Sequence, residues 1–72
     1  MAVGSEWRWV APDGREGRWR WCRAEAMRRG ICAYHGWSRF HHGLLGDLSE
    51  YGCAIMFQDA SQAGWRIEER AR

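Results

Sequence analysis

Two tryptophan pairs, each split by one arginine, most constrain what this chain can become: Trp7-Arg8-Trp9 and Trp19-Arg20-Trp21. Their period of two is that of a strand with one dry face and one wet face. Between them lies Pro12-Asp13-Gly14. Proline presets φ at the first loop position, and glycine accepts the left-handed position that closes the turn. The stretch reads as a β-hairpin with strands over 6–10 and 17–22. A two-residue turn would set each tryptophan opposite an arginine and split the indoles between faces. A three-residue loop over 12–14 pairs Ala11 with Arg15 and Trp7 with Trp19, which puts all four indoles on one face. A five-residue loop pairs Trp9 with Trp19 and keeps those faces. Three residues ending in glycine fit a type I turn plus bulge and are preferred. A slip of one residue would turn half of the indoles into water, so a firm register is expected. The other face then carries Glu6, Arg8, Val10, Glu16, Arg18 and Arg20, the mixed charge of a solvated sheet.

Burial arithmetic gives those indoles to the core. A domain of 72 residues buries only about 60% of the surface its unfolded chain exposes. Branched aliphatic residues number eight against six tryptophans, and each indole buries roughly 200 Å². Without the tryptophans too little apolar area remains to offset chain entropy. The whole chain, 1–72, reads as one small domain with loose tails over 1–5 and 70–72.

A short helix is expected over 23–29, with Ala24, Met27 and Ile31 on one face and Gly30 as its stop. Residues 31–43 fit neither period. Phe40, Leu44, Leu48 and Tyr51 align on a second helix over 38–51, capped by Ser38 and ended by Gly52, although Gly43 and Gly46 disfavour its first part. Cys53, Ile55 and Phe57 alternate with Ala54 and Met56, and Trp65 and Ile67 alternate with Arg66 and Glu68. With the polar loop 59–64 between them, these predict a second hairpin. The expected fold is α+β: two β-hairpins in a four-stranded antiparallel sheet, with one or two short helices on one face, in the order β-β-α-α-β-β.

The net charge of +2, from 11 basic and 9 acidic residues, is too mild to argue for nucleic acid alone. Every basic residue is arginine, and lysine, asparagine and threonine are absent. That is the mark of a GC-rich genome, and a bacterial or phage source fits it. The first residues lack a charged start and an apolar run, so no signal peptide is expected. No apolar stretch reaches the roughly 20 residues that span a membrane. An odd cysteine count of 3 with no secretory signal suggests reduced thiols in the cytoplasm.

Three functional surfaces emerge. The segment 34–42 carries Tyr34, Trp37, Arg39 and Phe40, residue types that anchor protein interfaces, together with His35, His41 and His42, whose charge varies between about pH 5 and 8. With Arg18 and Arg20 these residues form the expected site for a protein partner. Met56 and Val10, on the outer sheet face, would extend it or seed a homodimer. Arg8, Arg18, Arg20 and Arg66 form a stripe that suits nucleic-acid phosphates, but strand geometry keeps it off the indole face and so denies it stacking partners. Cys32, His35, His41 and His42 offer zinc-ligand chemistry with one knuckle-like spacing and no Cys-x-x-Cys. No cofactor is implied. No nucleophile, base and orienting group stand at a telling spacing, so no catalysis is expected. The leading expectation is a small cytoplasmic protein-binding module, either a subunit of an assembly or an inhibitor of a larger enzyme. Phages and mobile elements encode inhibitors of that size against host defences, anti-CRISPR-like in kind. A nucleic-acid-binding module and a small zinc-binding domain are the alternatives.

Overall fold

The computed structural model describes residues 4–72, apart from the side chains of Arg39 and Phe40. The tail expected over 1–3 lies outside these residues. The elements are β1 (Ser5–Val10), α1 (Arg23–His35), α2 (Arg39–Leu45), α3 (Glu50–Gln62) and β2 (Arg66–Ala71). Among the described residues the sheet is two-stranded and antiparallel, β1 against β2. The four-stranded sheet of two hairpins is therefore not what forms, and three helices take its place. The chain ends are joined: Ser5 pairs with Ala71, and the Arg72 amide donates to the Gly4 carbonyl at 2.9 Å. Residues 4, 5 and 70–72 are thus held, not frayed.

The Pro12–Gly14 turn closes as its residues suggest. The Ala11 amide donates to the Arg15 carbonyl at 2.8 Å and Gly14 donates to Ala11, with Gly14 at φ 94°. The Asp13 carboxylate takes the Arg15 amide at 3.0 Å, a local side-chain bond that favours a turn. Beyond it the return arm makes only isolated bridges, Val10 with Glu16 and Trp7 with Arg20. The ladder gains a residue after Gly17, whose amide still reaches Trp9. Trp7 therefore faces Arg20 in place of Trp19. One extra residue reverses the faces of every position after it, so Trp19 joins the arginine face and Arg20 leaves it. A Cβ at Gly17 would run into the indole of Trp9 from the facing strand, so that ring lies across the arm where a regular strand would place a side chain.

α1 runs past Gly30 to Gly36, which ends it in the left-handed conformation at φ 69°. Gly30 is a close-approach glycine and not a helix stop. A Cβ there would stand 2.8 Å from Phe57 Cε2 and 3.0 Å from Trp9 Cβ. α1 is the hub, packed on β1, α2 and α3. α1 and α3 run parallel, since Arg23 meets Glu50 at their starts and Gly30 meets Phe57 two turns on. The single helix expected over 38–51 is broken. α2 ends at Leu45, and α3 begins anew from Ser49, whose Oγ accepts the Gly52 amide at 3.1 Å. Gly52 lies in the first turn of α3 and does not end a helix.

Residues 53–58, expected as a strand, lie within α3. Cys53, Phe57 and Ala60 are its buried positions, an i, i+4, i+7 pattern. Ile55, which a strand would bury, is 48% exposed. Met56 packs partly against the core and Val10 is only 6% exposed, so neither forms an outer sheet patch for a homodimer. The core joins Ala24, Met27, Ile31 and Cys32 of α1 with Leu45, Cys53, Phe57, Ala60 and Trp65, and Trp9 packs against it. No helix of the described residues is long and apolar enough to cross a membrane.

Two substitutions distinguish this helix from a strand. Ile55→Glu changes unfolding free energy in urea by less than about 0.5 kcal/mol, as an exposed site does, whereas Phe57→Ala costs about 3–5 kcal/mol. Gly30→Val lowers stability by about 2–3 kcal/mol through overpacking. Thermal unfolding reads that as a fall in Tm of several degrees per kcal/mol, and a helix stop at Gly30 would show no such penalty.

Candidate functional site

The outer face of the sheet is a guanidinium and carboxylate lattice built by register. Cross-strand pairing sets Arg8 beside Glu68 and Glu6 beside Arg70. Arg8 contacts Glu68 and Glu16 at 3.0 Å each, Arg66 meets Glu68 at 2.8 Å, and Arg70 reaches Glu6 at 3.5 Å. Hydrogen bonds from Arg66 and then Arg8 hold the Glu68 carboxyl below its usual range. Trp19 lies among these charges, with the Arg8 and Arg70 guanidinium carbons 4.4 and 4.1 Å from its ring centre. Arg72 covers Trp21 at 4.7 Å, and Trp21 is 76% exposed. Arg18 is exposed. Arg20 keeps a buried Nε with no hydrogen-bond partner among the described residues. The four arginines of the expected stripe do not form one track: Arg8 and Arg66 are ion-paired, and Arg20 lies on the Trp7 side.

The aromatic segment closes one end of the core. Tyr34 meets Trp65 edge-on at 5.6 Å and His35 at 4.9 Å. His35 and His41 stack on the half-buried Trp37 at 4.3 and 5.2 Å, and Ser38 Oγ lies 3.1 Å from His41 Nδ1. The side chains of Arg39 and Phe40 lie outside the described residues. Tyr34 and Trp37 thus share one corner at the end of α1, while Arg18 and Arg20 belong to the return arm. The proposed zinc ligands are not gathered: His35 and His41 lie against the indole, His42 meets Glu25, and burial pushes the Cys32 thiol up. Among the described residues no group of three or more His, Cys, Asp or Glu is placed to hold a metal ion.

A charged node locks this corner to the fold. Glu25, in the first turn of α1, receives Arg29 at 3.1 Å, Arg28 at 3.6 Å and His42 Nε2 at 2.5 Å. Arg28 also donates to the Leu45 and Leu48 carbonyls at 3.1 and 3.0 Å, tying α1 to the end of α2 and the turn that follows it. Burial pushes the Glu25 carboxyl up, but the His42 hydrogen bond and charge, joined by Arg29, outweigh it and leave the carboxyl below its ordinary value.

The surface that sequence reasoning missed is the outward side of α3. Tyr51 is 76% exposed and Ile55 48% exposed, one turn apart and opposite the buried Cys53 and Phe57. The helical pattern of 53, 57 and 60 was the available signal, because it places 51 and 55 outside. Beside this face an open groove of about 310 Å³ runs between α1, α3 and β2, with Met27, Phe57 and Ile67 among its lining residues.

Comparison with protein-family models, with curated proteins and with solved structures returns no match for the chain.

The charged node predicts a pH dependence of known sign. A carboxyl held low in the folded state adds stability above its unfolded pKa, and that stability is lost as pH falls through the folded value. Glu25→Gln therefore costs about 1–2 kcal/mol at pH 7. Urea unfolding at descending pH shows the gap between variant and wild type closing below the ordinary carboxylate value of 4.5.

Proposed function

We propose that this chain acts without catalysis, by binding a protein partner as a subunit of an assembly or an inhibitor of a larger enzyme. The observation that carries the reading is the pair Tyr51 and Ile55, both turned away from the core on α3. A domain this small has little apolar area to spare, and contiguous apolar side chains left outside mark interaction sites. Tyrosine adds the polar tip that suits an interface. The stacked Trp37 corner, with Tyr34 behind it, supplies further aromatic surface of the kind interfaces use. Free thiols at Cys22, Cys32 and Cys53 suit a reducing compartment, and we place the work of the protein in the cytoplasm.

A second reading has its own support. Trp19 shares a face with arginines and Trp21 beside it is wet, so stacking and phosphate contacts can meet on one surface. Against it, Arg8, Arg66 and Arg70 already hold carboxylates.

Crosslinked capture with mass spectrometry separates the two. The wild type retains a protein that the Tyr51→Ala, Ile55→Glu double variant loses by about tenfold or more, an effect of about 1.4 kcal/mol, while Tm is kept. Equal capture by wild type and variant sinks the protein-binding reading. Recovery of nucleic acid that Trp21→Ala abolishes establishes the second one.

A further inference from the structure

We infer that the free edge of β2 takes an extended strand of the protein partner, antiparallel to it, with a basic side chain set opposite Glu69. The inference deepens the protein-binding reading and rests on it.

The edge follows from register. The Arg72 amide donates to the Gly4 carbonyl at 2.9 Å, so positions 4 and 72 form a hydrogen-bonded pair. Such pairs alternate along an antiparallel ladder. Arg66, Glu68 and Arg70 therefore turn their amides and carbonyls toward β1, opposite Val10, Arg8 and Glu6. Ile67, Glu69 and Ala71 turn theirs away from it. β1 shows the complementary half of the pattern: Trp7, opposite Glu69, gives both its amide and its carbonyl to Arg20 of the return arm. β1 is thus paired on two sides and β2 on one. Among the described residues no hydrogen bond reaches the outward backbone groups of Ile67, Glu69 and Ala71. Donors and acceptors in such a row are matched group for group by another extended backbone.

Sheet edges are commonly closed by proline, a bulge or a covering element. β2 has no proline. Its register with β1 runs one residue against one, without a bulge. Toward its start an open groove lies between Ile67 and the α3 residues Ala54 and Gln58, and toward its end Glu69, Arg70 and Ala71 are exposed.

The charge on Glu69 names the occupant. Glu68 is held by Arg8 and Arg66, and Glu6 by Arg70. Among the described residues the Glu69 side chain has no ion pair or hydrogen bond. The register that uses all three outward residues is centred on Glu69. A second copy in that register would set one Glu69 carboxylate directly opposite another, which is destabilising. A strand with arginine or lysine at that position makes a cross-strand ion pair instead. One residue thus opposes self-pairing and favours a partner of opposite charge. Ile67 and Ala71 flank Glu69 on the same face, so the matching strand reads apolar, any, basic, any, apolar.

The test uses the intact ¹⁵N-labelled protein and the probe acetyl-Thr-Val-Thr-Arg-Thr-Val-Thr-amide, read by amide hydrogen exchange. Without peptide, the amides of Glu68 and Arg70 exchange slowly and those of Ile67, Glu69 and Ala71 quickly. Saturating peptide slows the second set by about tenfold or more. N-methylation of the central arginine, whose amide faces Glu69, abolishes binding. N-methylation of the threonine after it, whose amide faces away, does not. Glutamate in place of that arginine weakens binding by about fivefold or more. Glu69→Arg, at an exposed site, leaves Tm unchanged and reverses the preference. Slow exchange along the whole of β2 in dilute free protein, equal binding of the peptide N-methylated at arginine, or protection outside β2 each overturn the edge assignment. Protection of Ile67 and Glu69 that grows with protein concentration alone does so too, because the occupant is then a second copy. If the peptide fails while Tyr51- and Ile55-dependent capture persists, the edge assignment falls and the protein-binding reading stands.

Discussion

The meeting of Gly30, Trp9 and Phe57 is the constraint on which the remaining structure depends. α1 lies so close to β1 and α3 that any side chain at position 30 would displace it from one of them. With α1 seated there, Trp9 is trapped between strand and helix, 5.2 Å from Trp65, and Trp65 is met edge-on by Tyr34. The Trp9 ring then extends over Gly17, which prevents the return arm from laddering as a strand. Four segments are ordered by one point of close backbone approach, and that approach requires the absence of a Cβ.

The same geometry corrects the burial arithmetic. Six indoles look indispensable when core volume is assumed and the aliphatic residues are few. The core here is built largely of small residues: Ala11, Ala24, Ala60, Cys32 and Cys53 are all buried. Small side chains let backbones approach, which shrinks the volume to be filled at native density. Trp9 and Trp65 suffice at the centre. Trp21 is left in water, and Trp19 serves a charged lattice on the outer face. The separation of dry indoles from wet arginines therefore holds for Trp9 and fails for Trp19.

Legibility in the sequence divides along the range of the interactions involved. The Pro12–Gly14 turn was legible because its determinants are local: a fixed φ, a left-handed glycine and an aspartate bonding two residues on. The alternation of Ile67 with Arg66 and Glu68 was legible for the same reason, whereas the start of α1 at Arg23 rested only on the apolar spacing that follows it, since no side chain caps it. Residues 53–58 were not legible, because Cys53 and Phe57 satisfy period two and period 3.6 alike. Only Ala60 and the exposure of Ile55 decide between them, and both require the helix to be traced past residue 58. Gly30 was misread because a glycine that ends a helix and one that admits a neighbour look identical in one sequence. The slip after Gly17 depends on a ring from the facing strand, which no local pattern encodes. Of the candidate site, Tyr34 and Trp37 were singled out by residue type, whereas Ile55 was hidden by the strand assignment and Tyr51 by its place on the apolar face of a helix expected over 38–51.

The distribution of charge then bears on what the surfaces do. On the sheet, Arg8 holds Glu68 and Arg70 holds Glu6 across the strands, Arg8 also holds Glu16, and Arg66 holds Glu68 along β2. A polyanion would have to displace those carboxylates before gaining a phosphate, so much of the electrostatic gain is already taken within the fold. The α3 face carries no such prior commitment at Tyr51 and Ile55. Covering them removes apolar area from water, a term that salt does not screen and that needs no ion pair to break first.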